Sequence, residues 1–118
     1  MSKRDTHILL QDILEACQKI GKFIQGMDLA SFVCDEKTGD AIARNLEIIG
    51  EAASRLPDEF TKRHAEIEWL QIIGLRHRIV HEYFGVDLEI IWEIVQNDIP
   101  ELSRQVQNLL ATQQHTSS

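Results

Sequence analysis

Cysteine is scarce in this chain: Cys17 and Cys34 are the only two, and no CxxC spacing joins them. That excludes a disulfide scaffold and argues against a thiolate metal site, leaving two buried free thiols as the expectation for a reducing compartment. No apolar run approaches the roughly 20 residues that cross a bilayer. The opening MSKRDTHILL has no signal-peptide organisation. A cytoplasmic chain with no membrane partner is therefore expected. No glycine-rich loop of phosphate-binding form occurs, so kinase and ATPase chemistry have no support. Carboxylates and histidines do not gather at ligand spacing, and no metal or cofactor is expected. Nor does any segment alternate with period two for long enough to form a strand.

What remains is helical. At 118 residues and 43% hydrophobic content, the chain can form one domain with a modest core. A first helix is expected over about Asp5–Met27, weakened towards its end by Gly21 and Gly26. A short apolar turn at Asp28–Cys34 precedes a long helix from Asp35 to Leu56, stopped by Pro57. After a polar connector, Pro57–Ala65, the next helix should cover roughly Glu66–Glu82 and break at Gly85. Asp87 has the form of an N-cap for the last helix, which Pro100 should kink or restart, with Asp98 as a second cap. The expected architecture is an all-α antiparallel bundle over residues 1–110, with a disordered tail at 111–118.

The net charge of −7 argues against general nucleic-acid affinity, which needs clustered cations. The charge is uneven, however. From Lys62 to His81 there are four Lys/Arg against two Glu, with three histidines added. A polyanion would have to be met there.

The rarest chemistry sits in that stretch, at GLRHRIVHEYFGVD (74–87). On ideal helix geometry, Trp69, Ile72, Val80 and Tyr83 fall within roughly 40° of Arg76. Arg76 is thus expected inside the apolar arc, where a guanidinium needs a partner or a cleft. His77 and His81 share a neighbouring stripe, and Arg78 adds a second cation. Seven arginines and five histidines in the chain give about 0.3 chance matches to an R-x4-H spacing, so the spacing alone decides little. Its context carries more. Histidine exchanges protons near neutrality, and arginine offers a fixed fork for a phosphodiester. RNA supplies its own 2′-OH nucleophile, so one histidine and one arginine form a sufficient minimum without metal. On one helix Arg76 and His81 point roughly 140° apart, and they converge more easily across a two-fold axis. The plainer alternative is a buried Arg76 paired with Glu47 or Glu51 on the preceding long helix. Both can hold together, because such a carboxylate would orient the site.

The run RHRIVHEYFGVD resembles the R-x4-6-H signature of the HEPN superfamily, and specifically its HepT-like toxin branch of the HepT/MntA type, where the form is R-x4-H-x-Y followed by FGVD. RNLEIIGEAASRLP (44–57) is similar to that branch's second-helix signature, and IWEIVQNDIPEL (91–102) to its last helix. The resemblance implies a helical-bundle homodimer with the motif pair at its interface. It further implies a metal-independent endoribonuclease acting as a toxin, with tRNA or mRNA as substrate. The implied partner is a minimal nucleotidyltransferase antitoxin that transfers AMP to the motif tyrosine. Carried over, Arg76 and His81 are catalytic and Tyr83 is the modification site. His77 stands where the family commonly has another polar residue. Because some superfamily members are inactive, a non-catalytic dimer that binds a nucleotide or the nucleotidyltransferase is the alternative.

Overall fold

The computed structural model describes residues 3–79 and 87–116, with side chains over 5–79 and 87–112. These residues form helices joined by turns, with no strand among them. α1 spans Lys3–Phe23, α2 Leu29–Cys34, α3 Glu36–Ser54 and α4 Asp58–Arg63. α5 spans Trp69–Ile73 and α6 Leu75–Arg78. α7 (Leu88–Glu93) runs through a π turn at Ile94–Asp98 into α8 (Ile99–Thr116). The all-α expectation holds. No helix among the described residues is long and apolar enough to cross a membrane.

Helix boundaries follow local chemistry. α1 ends before Met27 because Gly26 turns the chain at φ +79°, a conformation that glycine adopts without steric cost. Asp28 and Ser31 form a reciprocal capping box on α2, Ser31 N donating to Asp28 Oδ1 at 2.8 Å and Asp28 N to Ser31 Oγ at 3.0 Å. Asp35 caps α3 by accepting from Thr38 N at 3.0 Å and from its hydroxyl at 2.8 Å. Asp87 caps α7 through the Ile90 N–H, as expected from the sequence.

α3 is the spine. α1 packs along it on one side, α5 and α6 pack on the other, and α8 lies against α1. Ile42, Leu46 and Ile49 of α3, Leu10, Ile13 and Ile20 of α1, and Val106 of α8 are completely buried. Phe32 and Trp92 join α2 to α7 with ring centroids 5.2 Å apart. Burial of such aliphatic and aromatic side chains is the main stabilising term, about 1.5–3 kcal/mol each.

Three expectations need correction. The helix expected over Glu66–Glu82 starts only at Trp69 and is interrupted at Gly74. The preceding turn is held differently: the Trp69 indole donates to His64 O at 3.0 Å, and Trp69 N to Ile67 O at 2.9 Å. Cys34 is exposed, whereas Cys17 is buried and free as expected. Beside Pro100, expected to kink or restart the last helix, α7 gives way to a π turn and α8 begins at Ile99, but Asp98 does not stand outside the helix as a second cap would. Lacking an N–H and crowding the preceding turn, Pro100 follows a π turn in which Ile99 N donates to Ile94 O, and Asp98 lies within that turn. The last helix, α8, runs to Thr116. The expected break at Gly85 lies outside the described residues.

Candidate active site

The site is built on the outer face of α3. Arg44, Glu47, Ile48, Glu51 and Arg55 follow one another on that face at helical spacing. With Asp12 and Leu9 of α1 as one wall and Arg76 of α6 as the other, they line a groove of about 290 Å³. Ile48 is half-buried and gives the groove an apolar patch, while Arg44, Glu47, Glu51 and Arg55 are exposed around it.

Arg76 is where sequence and structure part. The sequence placed it inside the apolar arc, yet its side chain is 58% exposed. Leu75 and Ile79 are the buried residues here, and Arg76, between them in sequence, falls at the edge of the packed face. Its aliphatic stem lies over Gly50 of α3. Its head turns outward, and Nη1 donates to Glu51 Oε2 at 2.5 Å. Glu51, one of the two carboxylates expected from the sequence, is thus the partner, and its side chain is 51% exposed. Glu47, the other, lines the same groove one turn earlier.

One ion pair occupies only part of a guanidinium. Arginine carries five N–H donors in a planar fork, so the groove-facing donors of Arg76 remain for an anion. A phosphodiester fits that geometry and charge. His77 is exposed and Arg78 half-buried on the same short helix. His81 and Tyr83 lie outside the described residues. Among the described residues, no group of three or more His, Cys, Asp or Glu side chains is placed to hold a metal ion.

Sequence reasoning did not single out Gly50, Arg44 or Arg55. The signal for the two arginines was available in the i, i+4, i+7, i+11 stripe that runs Arg44–Ile48–Glu51–Arg55, and Gly50 had none.

The profile of the ribonuclease HepT-like family matches residues 13–109. The chain belongs to that family. A protein of Thermococcus cleftensis named "Probable ribonuclease HepT" is 40% identical over 107 residues, covering 91% of this chain and 97% of the relative. A candidate RNase of Caldanaerobacter subterraneus subsp. tengcongensis is 43% identical over 101 residues, covering 86% and 90%. A candidate RNase of Methanocaldococcus jannaschii is 37% identical over 110 residues, covering 93% and 91%. No solved structure matches the chain significantly. Membership of the HepT-like family makes this chain a ribonuclease by class and agrees with the helical fold.

Proposed function

We propose that this HepT-like chain is a metal-independent RNA endonuclease whose catalytic pair is Arg76 and His81, working as the toxin of a toxin–antitoxin pair in the cytoplasm. The observation that carries this is the exposed, tethered fork of Arg76 on a groove. An ion pair with side chains 58% and 51% exposed contributes about 0–1 kcal/mol to stability. Such a pair is a poor reason to place an arginine here and a good way to aim one. That weighs against the alternative in which Arg76 is only a structural ion pair of a non-catalytic dimer.

In this scheme the RNA 2′-oxygen attacks the adjacent phosphorus and the bond to the 5′-oxygen breaks, leaving a 2′,3′-cyclic phosphate and a 5′-hydroxyl. Arg76 holds the phosphoryl oxygens and stabilises their developing charge. His81 accepts the 2′-OH proton, and the leaving 5′-oxygen takes a proton from water. Two copies meeting about a two-fold axis would bring two motif segments to one cleft. Leu70, 86% exposed at the start of this segment, supports an interface there. Tyr83 is the site at which a nucleotidyltransferase antitoxin attaches AMP, adding bulk and a phosphate that competes for the Arg76 fork.

Purified protein incubated with total RNA and EDTA, beside His81→Ala, tests the chemistry. Cleavage should fall about 10²–10⁴-fold in the variant while helicity persists; equal cleavage would overturn the assignment. Mass spectrometry after co-expression with the nucleotidyltransferase should find AMP on Tyr83 and none on Tyr83→Phe.

A further inference from the structure

We infer that Arg44 and Arg55 are the substrate-anchoring residues of this groove, gripping phosphates of a single RNA strand laid along α3 on either side of Arg76. The inference rests on the ribonuclease function proposed above and goes on to name the surface that holds the substrate.

Three observations carry it. Eleven residues make almost exactly three helical turns, so Arg44 and Arg55 project from one stripe, about 16 Å apart along the axis. Glu51, which holds Arg76, stands between them on that stripe, about 10 Å from Arg44 and about 6 Å from Arg55 by the same rise. The three cations therefore form a row with the candidate catalytic one inside it. All three line the same groove.

The second observation is that the outer two are uncommitted. Arg76 is paired to Glu51, but Arg44 and Arg55 make no ion pair among the described residues, although Glu47 and Asp12 line the groove with them. Both arginines are exposed, so their charge is available to a ligand.

The third is the balance of charge. The groove carries three arginines against Asp12, Glu47 and Glu51, and is formally neutral on a chain of net charge −7. An anionic strand meets less repulsion here than over the acidic remainder. With no excess of cations, binding depends on the strand placing phosphates on the arginine forks, which favours a defined register over diffuse attraction. The half-buried Ile48 on the floor offers a sugar or base an apolar contact.

The test uses the full chain with His81→Ala, so that binding is read without cleavage. Anisotropy of a fluorescent single-stranded RNA is followed across a salt series for this protein and for added Arg44→Gln, Arg55→Gln or both. Each loss should weaken binding and reduce the slope of log K against log salt by about 0.7. Arg44→Lys should keep the slope, and Arg104→Gln on α8 should change nothing. In the catalytically intact chain, the same glutamine variants should raise KM while kcat stays within about twofold. Unchanged slopes overturn the inference. So does weakened RNA binding that tracks dissociation of a dimer in sedimentation, which would make the groove a protein interface. If the intact chain cleaves no RNA while the slopes fall as stated, the chemistry fails and the anchoring stands.

Discussion

Gly50 lies directly beneath Arg76. A Cβ built on it would stand 3.1 Å from Arg76 Cγ, 3.3 Å from the Arg76 backbone nitrogen and 3.3 Å from Ile72 O. Two of those neighbours are backbone, so the clash is not relieved by a rotamer change alone. Gly50→Ala should push α6 away from α3 and lower unfolding free energy by about 1–3 kcal/mol. A shift of a few tenths of an ångström in α6 carries the guanidinium with it and should lower kcat more than it raises KM. Denaturant unfolding and steady-state cleavage of a labelled RNA check both effects.

Glu51 holds the other end of the same side chain. Because the pair is more than half exposed, Glu51→Gln should cost under about 1 kcal/mol of stability. Its effect on kcat should be larger, about tenfold, because a fork that has lost its tether must find its geometry at each turnover. In the Arg76→Ala background, Glu51→Gln should add little further loss of activity, as expected for residues acting as a unit. A full additional loss in the double variant would show that Glu51 acts on something other than Arg76.

These contacts mark how far the sequence could be read. Asp87 was legible as a cap because capping depends on residues three positions away, and Asp35, read from the sequence only as the start of the long helix, turned out to cap α3 by the same spacing. Glu51 was legible as a partner because its place at the edge of an apolar stripe left its carboxylate near whatever packed there. The exposure of Arg76 was not legible. It depends on the close approach of α6 to α3 at Gly50, which the periodicity of one segment does not contain. Gly50 itself looked like any helical glycine until the neighbouring segment was in place above it.

The Asp35 cap should make part of the stability depend on acid pH. Hydrogen bonds from the Thr38 N–H and then its hydroxyl hold the Asp35 carboxyl below the ordinary aspartate value of 3.8. A depressed folded-state pKa stabilises the fold above the unfolded value, and that contribution is lost as pH falls through the folded one. Wild type should therefore melt several degrees above Asp35→Ala at neutral pH. The gap should hold down to about pH 4 and then close as pH falls below the ordinary value of 3.8. Melting curves from pH 7 to pH 2 test this, and a gap that widens on acidification would contradict it.

Gly21 presents the opposite case to Gly50. It sits in the last turn and a half of α1, where a Cβ would meet nothing within 4 Å. It faces an open groove of about 290 Å³ shared with Cys17, Ile24, Val95, Ile99 and Pro100. No left-handed backbone requires glycine there, since Gly26 is the residue with positive φ. Its cost is then mainly the conformational freedom that glycine gives the unfolded chain. Gly21→Ala should raise unfolding free energy by about 0.5–1 kcal/mol and leave RNA cleavage unchanged, because the α3 groove lies on the other side of α1. The adjacent Cys17 thiol, pushed up to about 12 by burial, serves as an internal probe of the same region. It should stay unreactive to iodoacetamide at pH 8 in both proteins, while the exposed Cys34 is labelled. A loss of stability on Gly21→Ala, or Cys17 labelling in the folded variant, would mean that the added methyl disrupts this helix contact.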